Sequence, residues 1–179
     1  SWVRRILPEC ISNESWESLL VRTLALQDSE GWYLEYGGPD LGYLSVTIDC
    51  LWDAFDASKD ERLLVSAVKS FEFIEKMTAN TGGHSIGMHN SRNTDYLVPY
   101  GISRFAVAQE MPSMNLRALK LLQNLFSTSD QCDHFLSAVD DRYWCHYIGL
   151  SVMRSIQCLS EVNLKTTDAN VKEKLTKTD

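Results

Sequence analysis

Apolar residues return at helical spacing through most of the chain. Over Ser15 to Gln27, the residues Trp16, Leu19, Leu20, Thr23 and Leu24 fall three or four positions apart, on one face of a helix. A second such stripe runs from Leu41 to Ala57 through Leu44, Ile48, Leu51, Trp52 and Phe55. Ser58 and Glu61 then stand in capping-box spacing, which predicts the start of a third helix. Leu64, Ala67, Val68, Phe71, Ile74 and Met77 carry that helix to Ala79, and Gly82-Gly83 ends it, because glycine accepts the left-handed conformation of helix ends. The period predicts a further helix over Tyr100–Gln109, with Ile102, Phe105 and Ala106 inside. Pro112 breaks it and Ser113 caps the next, whose apolar residues are Leu116, Leu119, Leu122 and Phe126. A short helix is expected near Asp130, and a long one over Arg142–Glu161 with Tyr147, Val152, Ile156 and Leu159.

No segment alternates with period two, so a sheet has no support. The expectation is an all-α fold of about seven helices in hairpin order, packed as a compact bundle or as a toroid or solenoid of hairpins. Residues 1–164 form one domain on this basis, and 165–179 a polar tail rich in Lys, Thr and Asp.

Composition narrows the function classes. The 179 residues are 44% hydrophobic and 23% charged, ordinary for a globular domain. A net charge of −7 repels phosphate backbones, and Arg4-Arg5 alone makes no nucleic-acid footprint, so nucleic-acid binding is not expected. No apolar run approaches the roughly 20 residues of a membrane span. The five cysteines, Cys10, Cys50, Cys132, Cys145 and Cys158, are scattered and odd in number. They are expected to be free, buried thiols of a reducing, cytoplasmic compartment. A zinc site from Cys132, His134, Cys145 and His146 is the sharper alternative, but without a Cys-x-x-Cys pair the expectation is no metal and no cofactor.

The connectors between helices hold the candidate chemistry. Residues 83–101 gather His84, His89, Asn90, Arg92, Asp95, Tyr96 and Tyr100. An imidazole can exchange a proton near neutral pH, and an arginine can clamp an anionic group through two parallel bonds. His84, His89, Arg92, Asp95 and Tyr96 are therefore the candidate catalytic residues, with Asn90 and Tyr100 as substrate contacts. The plainer alternative is a surface loop in which Asn93 and Asp95 cap the next helix. The earlier connector, around Gly37-Gly38-Pro39, contributes Glu35, Tyr36, Asp40 and Tyr43 as further substrate contacts. Glu35 and Asp40 can act as a carboxylate pair; alternatively Pro39 opens a helix whose positive end favours Asp40.

Asp49 sits among Ile48, Cys50 and Leu51. Either it shares the polar side of the helix with Ser45 and Asp53, or it is buried, with a raised pKa, against a cavity. Asp140-Asp141 most simply opens the last helix.

Two stretches resemble repeats of α/α-toroid proteins. Leu26-Gln27, followed by Gly31-Trp32, is similar to the Gln/Trp repeat of squalene-cyclase and prenyltransferase-like toroids, with one residue fewer between Gly and Trp. The segment Asp53 to Leu64, running on to Phe71-Glu72-Phe73-Ile74, resembles a helix junction of six-hairpin glycosidases and polysaccharide lyases. The resemblance implies a partial toroid, completed by a second copy or by the rest of a longer chain. The Asp-x-Asp-Asp motif of class II terpene cyclases has no counterpart beyond the pair Asp140-Asp141.

The expected function is an enzyme, a lyase or hydrolase, acting on a polar, carbohydrate-like small molecule by His/Tyr acid–base chemistry, with an arginine on an anionic group. A cyclase or prenyl-binding relative with an aromatic pocket, and a non-catalytic protein-interaction scaffold, are the alternatives.

Overall fold

In the computed structural model, residues 10–35, 37–78, 97–109, 111–127 and 149–160 are described. They form six helices: α1 (Asn13–Leu24), α2 (Leu41–Ser58), α3 (Glu61–Thr78), α4 (Tyr100–Val107), α5 (Pro112–Ser127) and α6, described over 149–160. Among the described residues there is no strand, only two isolated β-bridges, Gln27 with Tyr33 and Glu35 with Gly38. The fold is all-α, as the periodicity predicts. No helix of the described residues is long and apolar enough to cross a membrane. Gly82-Gly83, the short helix near Asp130 and the tail 165–179 lie outside the described residues.

α1 starts two residues earlier than expected. The Ser12 side chain accepts a hydrogen bond from the Ser15 amide and so caps it. It stops at Leu24 rather than Gln27, because Gln27 has work elsewhere. The Gln27 amide nitrogen donates to the carbonyls of Gly31 (3.0 Å) and Ser66 (2.9 Å) and to Ser70 Oγ (3.0 Å), stapling the loop after α1 onto α3. Leu20 is buried on α1, with Trp16 and Leu24 partly so, while Leu19 is exposed. Arg62 of α3 also holds α1, through two 2.7 Å bonds to Glu17.

α2 and α3 are joined by Lys59 and Asp60 alone, so they pack back along each other as a hairpin. Lys59 takes the left-handed conformation (φ 56°) that closes α2. The capping box expected at Ser58 is not formed. Ser58 belongs to α2 and donates to the Ala54 carbonyl four residues back (2.8 Å). Asp60 caps α3 instead, accepting from the Arg62 amide at 3.0 Å.

The core lies on this hairpin. Leu44, Ile48, Leu51 and Trp52 face Leu63, Ala67, Phe71 and Ile74 in one buried cluster, joined by Ile102 and Phe105 from α4. The Phe105 ring lies 4.7 Å from Phe71 and 5.2 Å, edge-on, from Trp52. Each such side chain, fully buried, contributes about 1.5–3 kcal/mol.

Two later helices bury faces other than those expected. On α5 the buried residues are Met114, Ala118, Leu121, Leu122 and Leu125, whereas Leu116 and Leu119 are exposed. Apolar residues surround this helix, so hydrophobicity alone leaves its rotation open. Polar bonds set it: Arg117 pairs with Glu75 of α3, and the Asn115 amide donates to the Ala106 carbonyl at 2.8 Å. On α6 the buried positions are Ser151, Ser155 and Cys158, while Leu150, Met153 and Ile156 are exposed. Its inward face is small and hydrogen-bonding, its outward face apolar, the reverse of the usual pattern.

Candidate active site

α2 carries a polar stripe, Ser45, Asp49, Asp53 and Asp56, at the spacing of one helix face. The stripe meets α4 and α6 rather than open solvent. Ser45 Oγ accepts from the Val98 amide (2.8 Å) and donates to the Gly42 carbonyl (2.6 Å). One oxygen of Asp49 accepts from the Gly101 amide at 2.6 Å, and the other from the Ser151 hydroxyl at 2.9 Å. Ser151 in turn accepts from the Tyr100 amide at 2.9 Å. Asp49 thus ties the first turn of α4 to α6. Gly101 is needed there, since a Cβ would come within 2.5 Å of Ile48 Cγ2 and 2.9 Å of the Asp49 carboxylate.

One turn further along α2, Asp53 is gripped by both terminal nitrogens of Arg154. The Arg154 guanidinium also stacks 3.6 Å over the Tyr100 ring. Asp56 accepts from Arg104 with both oxygens, at 2.9 and 3.0 Å, and from Lys59 Nζ at 3.4 Å. Ser103 and Ser155 are hydrogen-bonded to each other where α4 meets α6.

Beside Asp49 the seam opens into a pocket of about 190 Å³. Val46, Val98 and Leu150 form apolar wall; Asp49, Ser151 and the Asp53–Arg154 pair supply the polar groups, and Cys50 completes the lining. Burial pushes the Asp49 carboxyl up, and Asp53 adds to this. The Gly101 amide, the Ser151 hydroxyl and Arg154 pull the other way, and Asp49 comes to rest at about 7. A carboxyl poised there can take or give a proton at neutral pH. The two alternatives for Asp49 are therefore met together: it shares a face with Ser45 and Asp53, and that face is covered and borders a cavity.

The first connector is divided between structural work and one free carboxyl group. Gly31 (φ 105°) lies so close to α3 that a Cβ would fall 2.2 Å from the Lys69 carbonyl. The Tyr33 hydroxyl bonds Ser66 at 2.8 Å in the interior, and burial raises its pKa. Glu35 and Gly38 exchange two 2.9 Å backbone bonds around Gly37, which has φ 90°. The half-buried Glu35 carboxyl is raised, first by burial and then by Asp40. Asp40 is fully buried and is the N-cap of α2, accepting from the Tyr43 amide at 3.0 Å. Pro39 thus precedes the cap and is not the helix's first residue. Tyr43 is half-buried in the first turn.

Of the second connector, the end 97–100 is described. Leu97, Val98, Pro99 and Tyr100 are all buried there. Tyr100 lies beneath Arg154, and burial raises its phenol. His84, His89, Asn90, Arg92, Asp95 and Tyr96 lie outside the described residues, as do Tyr36, Asp140-Asp141 and Cys132, His134, Cys145 and His146. Among the described residues no group of three His, Cys, Asp or Glu is placed to hold a metal ion. Among the described residues Cys10, Cys50 and Cys158 form no disulfide. Cys158 is buried as expected, but Cys50 is exposed, because it turns away from the Ile48–Leu51–Trp52 face.

The residues that complete the pocket from α6, Ser151 and Arg154, were not singled out by the sequence. Their one signal is small polar residues at helical spacing, Ser151, Ser155 and Cys158, beside an arginine. Comparison with known protein families, with curated proteins and with solved structures finds no match to this chain.

Proposed function

We propose that this chain is an enzyme that acts on a small polar molecule by proton transfer, with Asp49 as the group that carries the proton. One observation carries the reading: a carboxyl poised near neutrality opens on a pocket of about 190 Å³, next to a fixed ion pair. Carboxyls shifted by burial beside a charged partner in a cleft are the kind that cluster at functional sites. A cavity of about 150 Å³ suffices for a benzene-sized guest, so this one suits a single ring such as one sugar unit. Val98, two residues after Tyr96 in sequence, lines the pocket, so the described end of the second connector borders it. His84, His89, Arg92, Asp95 and Tyr96 are proposed as its further acid–base and binding groups on a carbohydrate-like substrate.

The test is a ligand-observed NMR screen of sugars and other small polar molecules, on the native protein and on Leu150→Trp, which fills the pocket from its exposed wall. Ligands should bind the native protein and lose binding to Leu150→Trp, and Asp49→Asn should abolish their turnover. Ligands that bind Leu150→Trp undiminished would refute the reading. A second reading, a protein-interaction scaffold, is favoured by the exposed apolar Leu150, Met153 and Ile156 on α6.

A further inference from the structure

Among the described residues, the site has a surplus of negative charge that its own side chains do not balance. From α2 it receives the carboxyls of Asp49 and Asp53 and the Cys50 thiol; from α6, the Arg154 guanidinium and the Ser151 hydroxyl. α4 adds the Gly101 amide and the Tyr100 phenol beneath Arg154. Arg154 is the one cation lining the pocket among the described residues, and Asp53 holds it through two bonds. Among the described residues, ionised Asp49 therefore has no cation bonded to it, and feels Arg154 only at longer range. Each of its oxygens accepts one bond, from Gly101 or from Ser151, and keeps a second acceptor direction.

We propose that the molecule held beside Asp49 is a small organic ammonium, its charged nitrogen on the Asp49 carboxylate and its carbon body against Val46, Val98 and Leu150. The inference rests on the pocket being the site proposed above, and names the chemical class of its ligand. An anion would meet two carboxylates and a guanidinium already paired. A neutral alcohol would bond to Asp49 without balancing its charge. An ammonium brings both a charge and three donors, and charge-assisted bonds are about twice as strong as neutral ones. The pocket's size limits the body to one ring or a short branched chain.

Proton balance follows from this arrangement. Below neutral pH the carboxyl is largely protonated in the empty site. Binding then expels that proton to the buffer, while the ammonium keeps its own three. Affinity should rise about tenfold per pH unit up to about pH 7 and level off above it. A carboxylate so paired is also the base within reach of the ammonium protons, and would free the nitrogen lone pair for reaction.

The probe is benzylammonium, with benzyl alcohol as its neutral counterpart, titrated calorimetrically at pH 6 and pH 8.5 in buffers of different ionisation enthalpy. Benzylammonium should bind native protein at least tenfold more tightly than the alcohol. It should release close to one proton at pH 6 and none at pH 8.5. Asp49→Asn should remove the preference and the proton release, and Leu150→Trp should remove binding of both compounds. The proton count is read on the native protein, so it stands whether or not Asp49→Asn folds. If the alcohol binds as tightly as the ammonium, or no proton is released at pH 6, the ammonium inference is wrong while the pocket stands. If neither compound binds, both it and the proposed site fall.

Discussion

Replacing Asp49 by Asn should change how stability depends on pH, in a direction opposite to that of most carboxylates. Burial raises the folded-state pKa of Asp49 from the ordinary 3.8 to about 7. Below 3.8 both folded and unfolded chains carry the proton, and the group contributes nothing to the pH dependence. Between 3.8 and about 7 the folded protein is protonated and the unfolded chain is ionised, so stability falls as pH rises. Above about 7 both are ionised and the loss is complete. The slope is about 1.4 kcal/mol per pH unit, which makes about 2 kcal/mol between pH 5.5 and 7. Asparagine keeps an oxygen for the Gly101 amide and offers a donor toward Ser151, at a pH-independent cost of about 1 kcal/mol for the disturbed bond. Urea unfolding of both proteins from pH 5 to pH 8.5 isolates the effect, because the other carboxylates cancel in the difference. Asp49→Asn should gain on the native protein by about 2 kcal/mol over pH 5.5–7 and by nothing further above pH 8. Parallel curves would refute the raised pKa, and with it the catalytic assignment.

The glycines give a paired test. Gly31→Ala combines a positive φ with a Cβ 2.2 Å from a backbone carbonyl and should cost about 3 kcal/mol, whereas Gly37→Ala, at φ 90° in open space, should cost about 1; equal losses in thermal melts would show that the loop does not press on α3. Gly101→Ala should push α4 from α2 and remove the Asp49 bond, lowering stability by about 2 kcal/mol or more and broadening the amide resonances of the first turn of α4. Arg154→Met leaves the Asp53 carboxylate short of its partner and should cost about 2 kcal/mol, between the values for exposed and buried pairs. The double variant with Asp53→Asn should recover part of that loss, and simple additivity in a double-mutant cycle would count against the pair.

The hairpin α2–α3 was legible because its core residues, Leu44, Ile48, Trp52, Phe71 and Ile74, are large, apolar and correctly spaced. α5 was legible as a helix but not in its rotation, since Leu116 and Leu119 offer as good a stripe as Ala118, Leu121 and Leu125. The partners that decide between them, Glu75 for Arg117 and the Ala106 carbonyl for Asn115, lie outside the helix. α6 misled for a different reason. Beside Cys158, which was expected inside, it packs through Ser151 and Ser155, a residue type that a hydrophobic pattern assigns to solvent. Asp49 stood out locally, as an acid among apolar neighbours. What makes it a site, Gly101 and Ser151, stands 52 and 102 residues away, and such pairings leave no trace in local spacing. Asp40 and Tyr100 were also found as residues, but as a helix cap and as a platform for an arginine their placement owes more to backbone geometry than to chemistry visible in the chain.

The serine-lined inner face of α6 bears on the order in which the protein assembles. A two-residue link brings α3 onto α2 at almost no cost in chain entropy. Docking α6 closes a loop of 102 residues between Asp49 and Ser151, at about 4 kcal/mol before the intervening helices shorten it. Serines return little apolar burial against that cost, so α6 should be the last of the described helices to settle and the first to lift away. In native-state hydrogen exchange its amides should open at a free energy well below those of α2 and α3. A ligand seated in the pocket that α2 and α6 both line would have to leave before α6 could open, so occupancy of the pocket and protection of this helix should rise together.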